Sequence, residues 1–249
     1  SGTSHFLGQN FAKAFDVTFQ NKEQKNELVW ATSWGVSTRL LGALVMTHSD
    51  DEGLVLPPKV APVQVVVVPV GRGQASNDAK VDKFLKPIIT QLKAQGIRYK
   101  VDDRDNVKPG SKFYEWERKG VPIRIEVGPR DADAGTFVCT SRMDGEKTTV
   151  EYDHDTFGFD ITALLDEIQR EMLFRAEGRL SKQTMEVEKY EDMKKKLNAG
   201  EMGFFLVPWK DDAANEEAIK DELKATIRCF PFEHNEEGAV KGKKCFYSG

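Results

Sequence analysis

Residues 63–70 have the sequence VQVVVVPV, a continuous run of β-branched side chains without the alternation of a half-exposed strand. Such a run is typical of a strand that is covered on both faces in a mostly parallel sheet. Apolar residues then recur at helical spacing over 77–96, around Pro87, and a second strand is expected at 97–103. Strand, helix and strand with short connections predict a right-handed βαβ unit and thus an α/β domain.

The sheet is expected to extend past this unit. In the segment VPIRIEVG, residues 121–128, Ile123 and Ile125 point to one face and Arg124 to the other. Residues 136–153 predict a hairpin, because an Asp-Gly turn separates two strand-like segments. We therefore predict a mixed, mostly parallel sheet.

The composition is that of a globular protein. The chain has 249 residues, of which 39% are hydrophobic, and its formal net charge is -4. No run approaches the roughly 18 consecutive apolar residues of a membrane span, and no signal peptide is recognisable. Cys139, Cys229 and Cys245 are too few and too widely spaced for a disulfide framework. We predict a cytoplasmic protein without membrane contacts.

Residues 32–58 precede the α/β domain and end in Pro-Pro. Apolar residues after Arg39 predict a buried helical face, formed by Leu40, Leu41, Leu44 and Val45. An arginine at the first turn of such a helix needs an anion or an aromatic face. The pattern alone favours pairing with a structural carboxylate, and an anionic ligand stays open.

Four long segments resemble the C-terminal half of class II prolyl-tRNA synthetases of the archaeal and eukaryotic-like subtype. They are TSHFLGQNFAKAF, TSWGVSTRLLGALVMTHSDDEGLVLPPKVAP, DDRDNVKPGSKFYEWERKGVPIRIEVGPRD and KKCFYSG. The resemblance implies an α/β protein in three parts: the end of an antiparallel catalytic sheet (1–58), an anticodon-binding domain (59–160), and a linking helix with a small zinc-domain-like α/β appendage (161–249).

The resemblance also implies a function: ATP- and Mg²⁺-dependent ligation of proline to tRNA(Pro) through prolyl-adenylate, by a homodimer. GVSTR is similar to motif 3 of this class, so that Arg39 would be catalytic, stacking on adenine and neutralising phosphate charge. Further positions match the proline and ATP pockets: Thr3, His5, Trp34, Ser37 and Thr38. Without the resemblance, His5 would be interpreted as a loop residue whose imidazole hydrogen-bonds to the backbone.

The sequence departs from the family in lacking motifs 1 and 2. We therefore expect a piece of a longer polypeptide that cannot by itself make prolyl-adenylate. An alternative is a non-catalytic RNA-binding or regulatory module derived from a synthetase. The segments TSH and GVSTR favour the enzyme, because such a module has no use for an arginine that contacts ATP.

Residues 97–130 carry nine basic and six acidic side chains, which attract phosphate only weakly. Proline anticodons share two adjacent guanines, whose acceptor atoms suit arginine and whose donors suit a carboxylate. Four residues match the family's anticodon-binding positions: Glu117, Arg124, Arg130 and Asp131. The pattern alone favours surface ion pairs among Arg124, Glu126 and Glu117. We assign Phe113 and Trp116 to packing beneath this surface.

Zinc-containing relatives use four cysteines in the appendage. Cys229 and Cys245 match the first member of each pair, whereas His234 and Tyr247 occupy the partner positions. Thiolate and imidazole both bind zinc, but tyrosine rarely does. We therefore do not expect a metal, and Cys229, His234 and Cys245 are only weak candidate ligands.

Overall fold

The structure is a computed structural model that describes residues 2–71, 73, 75–232 and 242–249. The chain divides into two compact units, Ser1–Met172 and Leu173–Gly249. In the part of the chain that is described, no helix has the length and apolar character needed to cross a membrane.

The first unit begins with small antiparallel sheets and two helices. β1 pairs with β4, and β2 pairs with β3. The elements are β1 (Gly2–Gly8), α1 (Asn10–Phe15), β2 (Thr18–Gln20), β3 (Asn26–Leu28), β4 (Ala31–Val36) and α2 (Arg39–His48).

Helix α2 has no buried residue in this chain. Leu41 is 67% exposed, and Leu40 and Val45 are also exposed. The prediction that this face is buried is therefore wrong for the chain, because no described element packs over it. Apolar periodicity correctly located the helix but could not show what covers it.

A five-stranded mixed sheet forms the rest of the first unit, in the order β6-β5-β7-β8-β9. Its elements are β5 (Val65–Pro69), α3 (Ala75–Ala94), β6 (Tyr99–Val101), α4 (Pro109–Arg118), β7 (Ile123–Val127), α5 (Pro129–Ala134), β8 (Thr136–Ser141), β9 (Lys147–Glu151) and α6 (Phe157–Lys182). The predicted α/β fold with a mixed sheet is confirmed. The expectation of a mostly parallel sheet is wrong, since two of the four pairings are antiparallel.

Strand β5 is buried along its whole length, which explains the β-branched run. On one face, Val65 and Val67 join a large core that includes residues of β7, α3 and α6. On the other face, Val66 and Val68 pack against Trp116 of α4. The polar side chains of β7, β8 and β9 that share the second face therefore lie near α4.

The second unit contains β10 (Thr184–Glu186), α7 (Tyr190–Asn198), β11 (Phe204–Leu206) and α8 (Ala213–Leu223). The two strands pair in parallel, and Val187, Met193, Ile219 and Phe246 form a small core. Asp212 caps α8 by accepting hydrogen bonds from the backbone N–H groups of Ala214 and Asn215. The alternation of strands and helices agrees with the predicted α/β pattern of this segment.

Candidate nucleic-acid interface

Arg124 lies in the middle of β7, on the sheet face that α4 covers. It pairs with Val66 of β5 and with Thr140 of β8, and only 8% of it is exposed. Its Nε donates a hydrogen bond to Glu126 Oε1 at 2.9 Å, and its guanidinium carbon lies 4.6 Å from the ring centre of Phe113. A carboxylate and an aromatic ring thus hold the guanidinium in place.

Helix α4 is anchored by a buried carboxylate. Asp102 Oδ2 accepts a hydrogen bond from Trp116 Nε1 at 2.7 Å, and both oxygens accept hydrogen bonds from Arg104. The Arg104 hydrogen bond, followed by that of Trp116, holds the pKa of Asp102 well below its usual range. Phe113 and Trp116 both pack against the Val66 side of the sheet, in agreement with the prediction that they serve packing.

Glu117 is partly buried in the last turn of α4 and lies next to Arg124. Its backbone carbonyl accepts a hydrogen bond from Arg142 Nε at 3.0 Å. Among the described residues, no hydrogen bond or ion pair involves its side-chain carboxylate. The carboxylate therefore remains available to accept hydrogen bonds from a ligand.

A small cavity lies between Glu117, Arg124 and Arg142, with a volume of about 10 Å³. The buried hydroxyl oxygens of Thr140 and Ser141 have no hydrogen-bond partner within the described part of the chain. A cavity of this size has room for about one water molecule. A nucleobase does not fit into it without movement of the lining side chains.

Arg130 and Asp131 lie in the first turn of α5, after the end of β7. Asp131 Oδ2 accepts a hydrogen bond from the backbone N–H of Gly128 at 2.7 Å, so this carboxylate caps the helix. Arg130 is exposed. In the described ranges, no hydrogen bond or ion pair joins either residue to Glu117 or Arg124.

Lys147 belongs to the same surface and was not predicted. It lies opposite Thr140 in the β8–β9 pair, and its Nζ is 3.8 Å from Glu126 Oε1 and 5.8 Å from the ring centre of Phe113. The pairing register of the hairpin could have identified it, because directly opposed residues share a sheet face. The sequence alone did not fix that register.

The predicted proline and ATP positions occupy β1, β4 and the start of α2. Thr3 and His5 alternate along β1 and so share a face, and His5 lies in a strand rather than in a loop. Trp34 pairs with Ser4, which places it on the opposite face, where it is 76% exposed. The structure thus brings Thr3 and His5 together and separates Trp34 from them.

Arg39 is the first residue of α2 and is exposed. Its backbone N–H donates a hydrogen bond to Ser37 Oγ at 3.1 Å, and Thr38 precedes the helix. No hydrogen bond or ion pair within the described residues involves its guanidinium, so the pairing with a structural carboxylate that the pattern favours is not seen there. The side chain is free to meet an anion.

Two of the three weak metal candidates lie in the described residues. Cys229 is exposed and Cys245 is partly buried, whereas His234 lies outside the described residues. Burial acts to raise the pKa of the Cys245 thiol, but hydrogen bonds with Ser248 and with backbone groups outweigh it and lower the pKa to about 7. Within the described ranges, no group of three or more candidate ligands comes together, and two thiols do not make a four-ligand zinc site.

Family comparisons show what the domain that carries this surface resembles. Residues 64–154 match the model of an anticodon binding domain, which is found on the sheet described above. Residues 190–249 match the model described as prolyl-tRNA synthetase, C-terminal. These two segments therefore resemble an anticodon binding domain and the C-terminal part of prolyl-tRNA synthetases.

Similarity over the whole chain confirms the predicted resemblance to prolyl-tRNA synthetases. A proline--tRNA ligase of Bacteroides fragilis is 49% identical over 253 aligned positions, which cover 100% of this chain and 49% of the relative. One from Flavobacterium johnsoniae is 47% identical with the same coverage. The chain spans about half the length of the curated relatives it matches.

Solved structures agree with this assignment. Prolyl-tRNA synthetase from Cryptosporidium parvum, complexed with halofuginone and AMPPNP, aligns with a TM-score of 0.86 and 37% identity, over 99% of this chain and 50% of that one. A second structure of that enzyme, with L-proline and AMP, aligns with a TM-score of 0.82 and 38% identity, over 98% of this chain and 51% of that one.

Proposed function

We propose that this chain is part of a cytoplasmic, homodimeric prolyl-tRNA synthetase that ligates proline to tRNA(Pro) through prolyl-adenylate. The observation that carries the proposal is that Glu117 of α4 and Arg124 of β7 lie next to each other, inside the segment that matches an anticodon-binding model. The alternative of a non-catalytic module is less well supported, because relatives named as ligases match the whole chain. The proposed division is 1–58, 59–160 and 161–249.

The two side chains complement guanine. The arginine fork of Arg124 donates to the O6 and N7 acceptors, and the carboxylate of Glu117 accepts from the N1 and N2 donors. Anticodon bases expose both edges because they are unpaired. A basic and an acidic group beside one cavity thus select guanine over adenine, which presents a donor in place of the O6 acceptor.

In addition to its packing role beneath this surface, Phe113 would give the base a surface to stack on. In the structure, Arg124 covers this ring. A base that replaces the guanidinium exchanges a cation–π contact of about 0.5–2 kcal/mol for stacking of about 1–3 kcal/mol. The gain and the loss in free energy nearly cancel, so stacking does not distinguish guanine from other bases. The distinction comes from the base edge, which the Arg124 guanidinium contacts after it has moved off the Phe113 ring.

Arg130, Asp131 and Lys147 are assigned supporting roles. Arg130 and Lys147 are exposed cations that suit phosphate, which positions the RNA without selecting its sequence. Asp131 Oδ2 already accepts the Gly128 N–H, so any RNA contact of this residue uses the other oxygen.

The first segment is assigned to the catalytic domain. Arg39 would bind ATP, with Ser37 and Thr38 at the helix start, and Thr3 and His5 would line the proline pocket. Mg²⁺ would accompany ATP and neutralise phosphate charge. Trp34 would contribute from the other sheet face. The residues of this chain would position substrates and stabilise charge, and the exposed apolar surface of α2 would be covered by the other half of the enzyme.

The test of this function is the substitution Arg124→Ala in the full-length enzyme. We expect charging of tRNA(Pro) to fall by roughly 1–3 kcal/mol per lost base contact, while proline-dependent ATP–pyrophosphate exchange stays nearly unchanged. Arg170→Ala is a matched control, because Arg170 is exposed on α6, a helix that packs on the opposite sheet face. Unchanged charging, or a parallel fall in exchange, would contradict the proposal.

A further inference from the structure

Arg142 joins the segment after α2 to the last turn of α4. Its Nη1 and Nη2 atoms donate hydrogen bonds to the two carboxylate oxygens of Asp50, at 2.9 and 2.6 Å. Its Nε donates to the backbone carbonyl of Glu117 at 3.0 Å. Its own backbone N–H donates to the Pro122 carbonyl at 2.9 Å, which fixes the origin of the side chain. All three guanidinium nitrogens are thus used in one bridge.

The backbones on either side of this bridge are in direct contact. The N–H of Leu54 donates to the carbonyl of Arg118 at 3.0 Å, and the N–H of Leu56 donates to that of Gly120 at 3.3 Å. A Cβ at Gly53 would lie 2.6 Å from Arg118 Cα, and one at Gly120 would lie 2.7 Å from Leu54 backbone atoms. A side chain at Gly53 or Gly120 would therefore collide with the facing segment, which shows how closely the two backbones pack.

The ion pair itself resists dissociation. The Arg142 side chain is 6% exposed, and a buried guanidinium that loses its carboxylate is costly. The hydrogen bond from Arg142 holds the pKa of Asp50 below its ordinary value. The two-pronged geometry needs a planar fork, which lysine does not have.

The Arg142 bridge connects helix α2, which the proposed function assigns to ATP binding, with Glu117, which it assigns to anticodon recognition. Helix α2 begins at Arg39 and ends at His48, just before Asp50. Glu117 presents its carboxylate to the proposed base pocket and its carbonyl to Arg142. We propose that Arg142 is a positioning residue that couples anticodon recognition at Glu117 to the placement of helix α2. This inference rests on the proposed function.

The coupling follows from the geometry. A guanine that hydrogen-bonds to the Glu117 carboxylate favours one position of the last turn of α4. That turn is linked to the Asp50 segment by the Arg142 bridge and by two backbone hydrogen bonds. A bridge that serves only to hold the fold would instead affect every reaction of the enzyme equally, whatever anticodon the tRNA carries.

The test uses Asp50→Asn in the full-length enzyme, a change that removes the charge but preserves the side-chain volume. We expect kcat for charging of tRNA(Pro) to fall about 5- to 20-fold, at the lower end of typical coupling between sites, with KM little changed. Charging of a tRNA(Pro) whose two anticodon guanines are replaced should not fall, nor should exchange without tRNA. Asp50→Glu should restore part of the loss.

Asp133→Asn is the matched control, because it breaks an exposed ion pair with Lys80 in the same unit. If Asp50→Asn is poorly folded, Arg142→Lys decides the question, since it retains the charge and loses the fork. An equal loss with both tRNAs and in exchange, or no loss with either, would overturn the coupling. If either of these results were found while Arg124→Ala reduced charging and left exchange unchanged, the coupling would be wrong and the proposed function would still be supported.

Discussion

Residues 2–48 and residues 64–151 both consist of strands and helices, but the two regions differ in how many of their side chains are buried. In the first region Ala12 alone is buried among the described residues, whereas every residue of β5 in the second region is buried. The second region has helices on both faces of a five-stranded sheet and, together with α6, forms a core of its own. Two-stranded sheets cannot do this, and the first region therefore depends on another layer for its stability.

The exposed apolar side chains of the first region are large and numerous. They include Phe6, Trp30, Trp34, Leu41 and Met46. Soluble proteins rarely expose such a surface unless another surface covers it. This agrees with the proposal that the other half of a full-length synthetase packs there.

The largest expected effect is a loss of stability in the second region, and it tests whether that region is stabilised by its own buried contacts. Asp102→Asn should lower the free energy of unfolding by about 3–5 kcal/mol at neutral pH, because it removes the buried partner of Arg104 and leaves Lys112 without a nearby charge. Urea denaturation measures this loss. Asp133→Asn, at an exposed ion pair, should cost under about 1 kcal/mol.

The same variant has a predictable pH dependence. The pKa of Asp102 is lowered in the folded protein, so its stabilisation is complete above the unfolded pKa of about 3.9 and is lost as pH falls through the folded pKa. The difference in stability between wild type and Asp102→Asn should therefore be constant near neutral pH and shrink below about pH 4. A difference that grew on acidification would contradict the assigned shift.

A smaller effect compares one apolar side chain from each region. Ile125→Ala should destabilise the chain by about 2–5 kcal/mol, because Ile125 is fully buried. Leu41→Ala should change the free energy of unfolding by under about 0.5 kcal/mol, because this side chain lies on the surface of α2. Equal losses for the two variants would show that α2 is covered in this chain, and the contrast between the regions would disappear.

Much of the second region was predictable because its signals are local. The β-branched run, the helical spacing of 77–96 and the Asp-Gly turn each indicate one element, and the structure contains all three. The share of antiparallel pairing was not predictable, since it depends on where the hairpin joins the sheet. The exposure of α2 was missed for a related reason: an apolar stripe shows that a face needs covering and does not identify the cover.

The candidate site also has features that the sequence predicted and features that it did not. Alternation along β7 predicted the face of Arg124, and the structure places it beside Glu117, next to the same cavity. The Arg142–Asp50 pair was invisible in the sequence, because 92 positions separate its members. Lys147 and Thr140 were missed because their placement depends on strand register. The capping role of Asp131 depends on the backbone conformation at Gly128, which the residue types alone do not determine.

The most direct measurement is the affinity of this chain for RNA hairpins that carry the proline anticodon loop, followed by fluorescence anisotropy at one fixed salt concentration. The account predicts that a hairpin with both guanines binds at least about 10-fold more tightly than one with adenines in their place. Arg124→Ala should weaken that preference, to the part that Glu117 supplies through the N1 and N2 donors, and leave binding of the adenine hairpin unchanged. Equal affinity of the wild-type chain for both hairpins would contradict the claim that Glu117 and Arg124 recognise guanine.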